Sequence, residues 1–133
     1  MAKRLSIFTF TKLVVDDLEK MAALYGQVFE LEQITRMQES IGPDAIDEII
    51  LGTAGELTPG ALILLRYVDE RQPPSGEVIL GFTTRDLPAL LDRVRAAGGG
   101  VHCDIRDFPD MKLRVAFATD PEDHLIELVE RSD

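Results

Sequence analysis

Tryptophan is absent from this chain, histidine occurs twice and cysteine once. The lone Cys103 cannot close an internal disulfide, which fits a reducing compartment. It is read as a small buried hydrophobe on a strand. His102 and His124 have no second metal ligand at a metal-like spacing, so both read as surface histidines. Cationic side chains are also in deficit: 14 Lys and Arg stand against 24 Asp and Glu, a formal net charge of −10. Such a surface repels phosphate backbones and anionic lipid, so neither nucleic acid nor a membrane is expected as a partner. A cationic small molecule would be weakly attracted. Long apolar runs are missing too, none approaching the roughly 20 residues of a membrane-spanning helix. Lys3 and Arg4 precede an apolar stretch, but Lys12 interrupts it and Asp16-Asp17 follow, unlike a secretory signal. A cytoplasmic location is the expectation.

What is present is the composition of a globular domain. The 133 residues are 45% hydrophobic, enough for one core without covalent staples. A single domain over residues 1–133 is expected.

An internal repeat organises it. FTKLVVDDL at 10–18 recurs in outline as ILGFTTRDL at 79–87, with Asp17-Leu18 matching Asp86-Leu87. Each segment reads as a strand entering a helix whose first free N–H groups are capped by the aspartate. Leu18, Met21, Ala22, Tyr25, Val28 and Phe29 then share one helical face, as do Leu87, Leu90, Leu91, Val94 and Ala97. Pro88 is tolerated in the first turn of the second helix, and Gly98-Gly99-Gly100 ends it.

Three strand-like segments follow each helix: roughly 32–38, 47–53 and 61–68, then roughly 101–105, 112–118 and 124–130. Gly42-Pro43-Asp44, Thr58-Pro59-Gly60 and Asp120-Pro121 mark breaks, and 37–47 and 104–111 read as loops. The fold class is therefore α+β, two tandem βαβββ modules at about 5–68 and 77–131, joined by a linker over about 69–76. Each module alone would expose an apolar sheet face, so the two must pack together.

The segments VVDDLEKMAALYGQVFEL, RVRAAGGGV and DPEDHLIELVE, in this order and duplicated arrangement, resemble the vicinal oxygen chelate superfamily. That family includes glyoxalase I, the bleomycin-resistance proteins and the extradiol dioxygenases. The resemblance implies curved mixed sheets that enclose a cavity, a homodimer, and a metal held by the first and last strands of each module. Carried over singly, those ligand positions fall on Phe10, Leu64, Ile79 and Glu127. The repeat offset independently relates Phe10 to Ile79, and ALILLRY aligned with HLIELVE sets Leu64 against Glu127.

Phe, Leu and Ile offer a cation no lone pair, whereas a catalytic divalent ion needs about three protein donors. No cofactor is therefore expected. A divalent metal finds no support at three of the four positions.

Strand alternation extends the cavity face from Phe10 to Phe8 and Lys12, from Leu64 to Leu62 and Arg66, from Ile79 to Glu77 and Gly81, and from Glu127 to Leu125 and Val129. The candidate ligand-binding set is Phe8, Phe10, Lys12, Leu64, Arg66, Ile79 and Glu127. Met37 and Met111 are candidates for its mouth. Glu127, set among apolar groups, is also the candidate general acid or base, unless pairing with Arg66 makes it a structural ion.

The leading expectation is a metal-independent protein that binds a small organic molecule, similar to the bleomycin-resistance branch. The competing one is a lyase or isomerase using Glu127 or an unexpected metal site. A third is an interaction module with a collapsed cavity.

Overall fold

The structure is a computed structural model that describes residues 5, 8–53, 59–69, 71 and 78–131. Glu77 and most of the expected linker lie outside the described residues.

The order of elements is β1 (Phe10–Val14), α1 (Leu18–Phe29), β2 (Glu32–Ile41), β3 (Asp44–Gly52), β4 (Ala61–Tyr67), β5 (Leu80–Thr84), α2 (Leu87–Ala96), β6 (Gly100–Phe108), a 3₁₀ turn (Pro109–Met111), β7 (Leu113–Thr119) and β8 (Leu125–Arg131). The strands form two four-stranded sheets, ordered β1-β4-β3-β2 and β5-β8-β7-β6. In each the first strand lies parallel to the last of its module and the other pairings are antiparallel. These are the two mixed βαβββ modules of the repeat. They remain separate sheets and do not close.

The aspartates act as the repeat implies. Asp17 accepts from the Lys20 amide and Asp86 from the Ala89 amide, each at 3.1 Å. Gly98, at a φ of 91°, turns the chain out of α2. Gly99 is needed for closeness: a Cβ there would collide with the Thr119 carbonyl and the Val94 side chain. The expected loop at 37–47 is instead a tight hairpin in which Ile41 pairs with Asp44 around Gly42-Pro43. Most of the loop expected at 104–111 extends β6 through Phe108.

One core cluster joins both modules. It gathers Leu13, Val15, Ile49, Leu51, Leu62 and Leu64 from the first sheet side, Ala116, Ala118, Ile126 and Leu128 from the second, and the buried faces of both helices. Phe29 of α1 stacks nearly parallel on Phe82 of β5 with ring centroids 3.8 Å apart, an aromatic contact between the two modules. The helices thus cover one side of both sheets. The other sides are free of them.

Candidate functional site on the helix-free face

Residues two apart in a strand share a face, so the core cluster fixes which side chains point away from the helices. In β1 these are Phe10, Lys12 and Val14, flanking the core residue Leu13. Lys12 lies opposite Ile63 and Val14 opposite Leu65; Ile63 is opposite Ile50 and Leu65 opposite Glu48. Lys12 Nζ reaches Glu48 Oε2 at 2.7 Å, which requires both on the same face. The first half of the helix-free face therefore carries buried aliphatic side chains, one ion pair and the 41% exposed Phe10 ring.

In the second module Glu127 occupies the same kind of position. It lies opposite Gly81 on β5 and Phe117 on β7, between Leu125 and Val129 along its own strand. It is half-buried and, among the described residues, has no hydrogen-bond or ion-pair partner. A Cβ at Gly81 would meet nothing within 4 Å, so the strip beside Glu127 is open. Phe8 and Ile79 are exposed just before β1 and β5.

Two candidate residues fall elsewhere. Leu64 is fully buried in the helix-side cluster and does not face the same side as Glu127. Burial of a leucine contributes about 2 kcal/mol to folding and leaves nothing for a ligand to touch. Register supplies the equivalent residue: the pairing of Lys12 with Ile63 repeats as Gly81 with Glu127. Ile63 is thus the counterpart of Glu127. Arg66, in register with Asp47, follows Leu64 to the helix side, and its Nη1 approaches the Tyr67 carbonyl at 3.5 Å. It does not pair with Glu127. Leu62 also belongs to the core cluster. Met37 and Met111 are exposed, and Cys103, read as buried, is exposed on the edge strand β6.

A polar cluster that is not among the expected site residues lies at the joint between modules. His124, expected at the surface, is 4% exposed, Asp120 2% and Tyr25 0%. Tyr25 donates its hydroxyl to Asp120 Oδ2 at 2.9 Å, and His124 Nδ1 lies 2.8 Å from the same oxygen. The other oxygen, Oδ1, accepts from the Glu122 and His124 amides. The Glu122 carboxylate reaches back to the Asp16 and Asp17 amides, at 2.8 Å each. Burial pushes the Asp120 carboxyl up, but the bonds and charge of His124 and the Tyr25 hydroxyl outweigh it and hold it below its ordinary value. Its hydrogen bond to Asp120 raises His124 against the opposing effect of burial. Burial, then the charge of Asp120, pushes the Tyr25 phenol up. The cluster bolts α1 of one module to the β7–β8 turn of the other. Asp120 and His124, four apart in a turn, were a legible pair; Tyr25 was not.

The donors present do not fit a metal centre at the positions the resemblance assigns. Phe10, Ile79 and either Leu64 or its register-corrected replacement Ile63 are hydrocarbon, leaving Glu127 as the one donor. Among the described residues, no group of three or more His, Cys, Asp or Glu gathers elsewhere in an arrangement suited to an ion. Among those residues no helix is long and apolar enough to cross a membrane.

Comparison with known proteins places this geometry. A structure of a V278E mutant of glyoxalase I from Zea mays superposes with a TM-score of 0.76 at 20% identity, covering 92% of this chain and 45% of that one. The chain thus spans about half the length of the maize protein. A glyoxalase family protein from Bacillus cereus gives 0.79 at 16% identity, covering 97% and 95%. TioX from Micromonospora sp. ML1 gives 0.66 at 22%, covering 95% and 99%. These likenesses establish the fold. No curated protein matches the sequence. The family model described as Glyoxalase/Bleomycin resistance protein/Dioxygenase superfamily matches residues 7–128, and the chain belongs to that superfamily.

Proposed function

We propose that this protein binds a small organic molecule on its helix-free face without a catalytic metal. The observation that carries the reading is Glu127: a half-buried carboxylate without a partner among the described residues, beside the open strip at Gly81 and the Phe117 ring. An unpaired carboxylate on an apolar surface suits a ligand fixed by one polar contact. A cationic group is its natural complement, and the net charge of −10 favours the approach of such a ligand. Phe8, Phe10, Lys12, Ile79 and Glu127 are the proposed contacts; Ile63, the register counterpart of Glu127, is itself buried. The hydrocarbon donor set argues against chemistry that needs a tightly held ion. A cytoplasmic location and a homodimer belong to the same reading, the latter checked by sedimentation.

The test is titration of aromatic amines into ¹⁵N-labelled protein in buffer containing a chelator. Saturable shifts at Phe10, Ile79 and Glu127, weakened about tenfold by Glu127→Gln through loss of a charge-assisted contact, support the reading. Binding that appears only when a divalent ion is added, or shifts confined to the helix side, contradicts it.

A further inference from the structure

Lys12 and Glu48 form an ion pair set among buried aliphatic side chains. Nζ lies 2.7 Å from Oε2, and the Glu48 side chain is 6% exposed while that of Lys12 is 37% exposed. The strand registers place Ile63, Leu65 and Ile50, all buried, around the pair on the helix-free face. A pair in such a place contributes little net stability, because desolvation of both charges offsets their attraction and apolar residues of similar size do as well. Its use is better sought in recognition.

The ammonium has three N–H donors. Among the described residues Glu48 is its one hydrogen-bond partner, which leaves donors on the more exposed member of the pair. The Phe10 ring, itself 41% exposed, has its centroid 5.9 Å from Nζ. A hydrogen-bond donor and an aromatic surface are thus offered side by side. Glu48 cancels the charge of Lys12, so the unit complements a neutral acceptor better than an anion, whose charge would be left uncompensated on an apolar surface.

We infer that Lys12, held in place by Glu48, donates a hydrogen bond to a carbonyl oxygen of an aromatic ligand whose ring lies against Phe10. Lys12 touches the ligand; Glu48 is a positioning residue that also sets the preference for an uncharged acceptor. The inference rests on the proposed use of the helix-free face and adds the chemical class of one end of the ligand.

Acetophenone and ethylbenzene have nearly the same shape and differ by the carbonyl oxygen. Each is titrated into ¹⁵N-labelled wild type, Lys12→Met and Glu48→Gln, with benzoate as a third probe. Wild type is expected to bind acetophenone about tenfold more tightly than ethylbenzene, the usual effect of a hydrogen bond from a charged donor, with shifts at Phe10, Lys12 and Ile63. Lys12→Met should lose that preference and keep its ethylbenzene affinity. Glu48→Gln should turn the preference toward benzoate, which loss of packing alone would not do. Retained preference in Lys12→Met, or no gain for benzoate in Glu48→Gln, overturns the inference. Equal binding of acetophenone and ethylbenzene to wild type, with shifts on this face, overturns it while leaving the ligand surface intact; that comparison decides even where a variant fails to fold. No shifts on this face with any probe overturns both.

Discussion

Tyr25 and Asp120, 95 positions apart in the chain, share a buried hydrogen bond of 2.9 Å that ties the first helix of one module to the last turn of the other. The same carboxylate holds His124 at 2.8 Å. The Phe29–Phe82 stack and the common core join the modules as well.

Tyr25→Phe removes one donor to a charged acceptor and leaves the ring packed, so it should cost about 1.5–3 kcal/mol of stability. Asp120→Ala leaves the Tyr25 hydroxyl and the His124 ring buried without their acceptor and should cost more, about 3–5 kcal/mol. Urea denaturation of the two variants measures both. Equal and small losses would mean the cluster is not what joins the modules.

The cluster also makes stability depend on pH, from two opposite shifts. His124 is raised above the ordinary histidine value by Asp120, with Glu122 and the Val14 carbonyl adding to it against burial. Its contribution is fully present below about 6.5 and is lost as pH climbs through the raised folded value. Asp120 is held below the ordinary aspartate value despite burial. Its contribution is present above about 3.9 and is lost as pH falls through the lowered folded value. The stability difference between wild type and His124→Gln should therefore be largest at weakly acid pH, between about 3.9 and about 6.5, and should shrink as pH climbs through the raised value. Thermal unfolding across pH 4–9 tests this, and a difference that grows toward alkaline pH would contradict the assignment of a charged His124.

The fold was legible because the repeat repeats its local chemistry. Asp17 and Asp86 cap equivalent helices at equal distances, and the offset relating them also relates Phe10 to Ile79. The facing of β4 was not legible. ALILLRY is apolar on both sides, so alternation gives no sign of which set meets the helices, and a one-residue slip exchanges the faces. Only the pairing of Lys12 with Ile63 resolves it, moving Leu64 and Arg66 to the helix side. β8 escaped the error because Glu127 marks its own face. The Lys12–Glu48 and Tyr25–Asp120 partnerships were hidden for another reason: they join residues far apart in sequence, and nothing local announces a contact across 36 or 95 positions.

We propose that this scaffold of the glyoxalase superfamily presents an apolar ligand surface in place of a metal centre. The most direct measurement is the metal content of the protein purified without chelator, before and after incubation with equimolar zinc, nickel, iron and manganese and removal of the excess. With Phe10, Ile63 and Ile79 supplying no donor atoms, the content should stay well below one ion per chain in every case. A stoichiometric ion, released on Glu127→Gln, would mean that the site holds a metal after all.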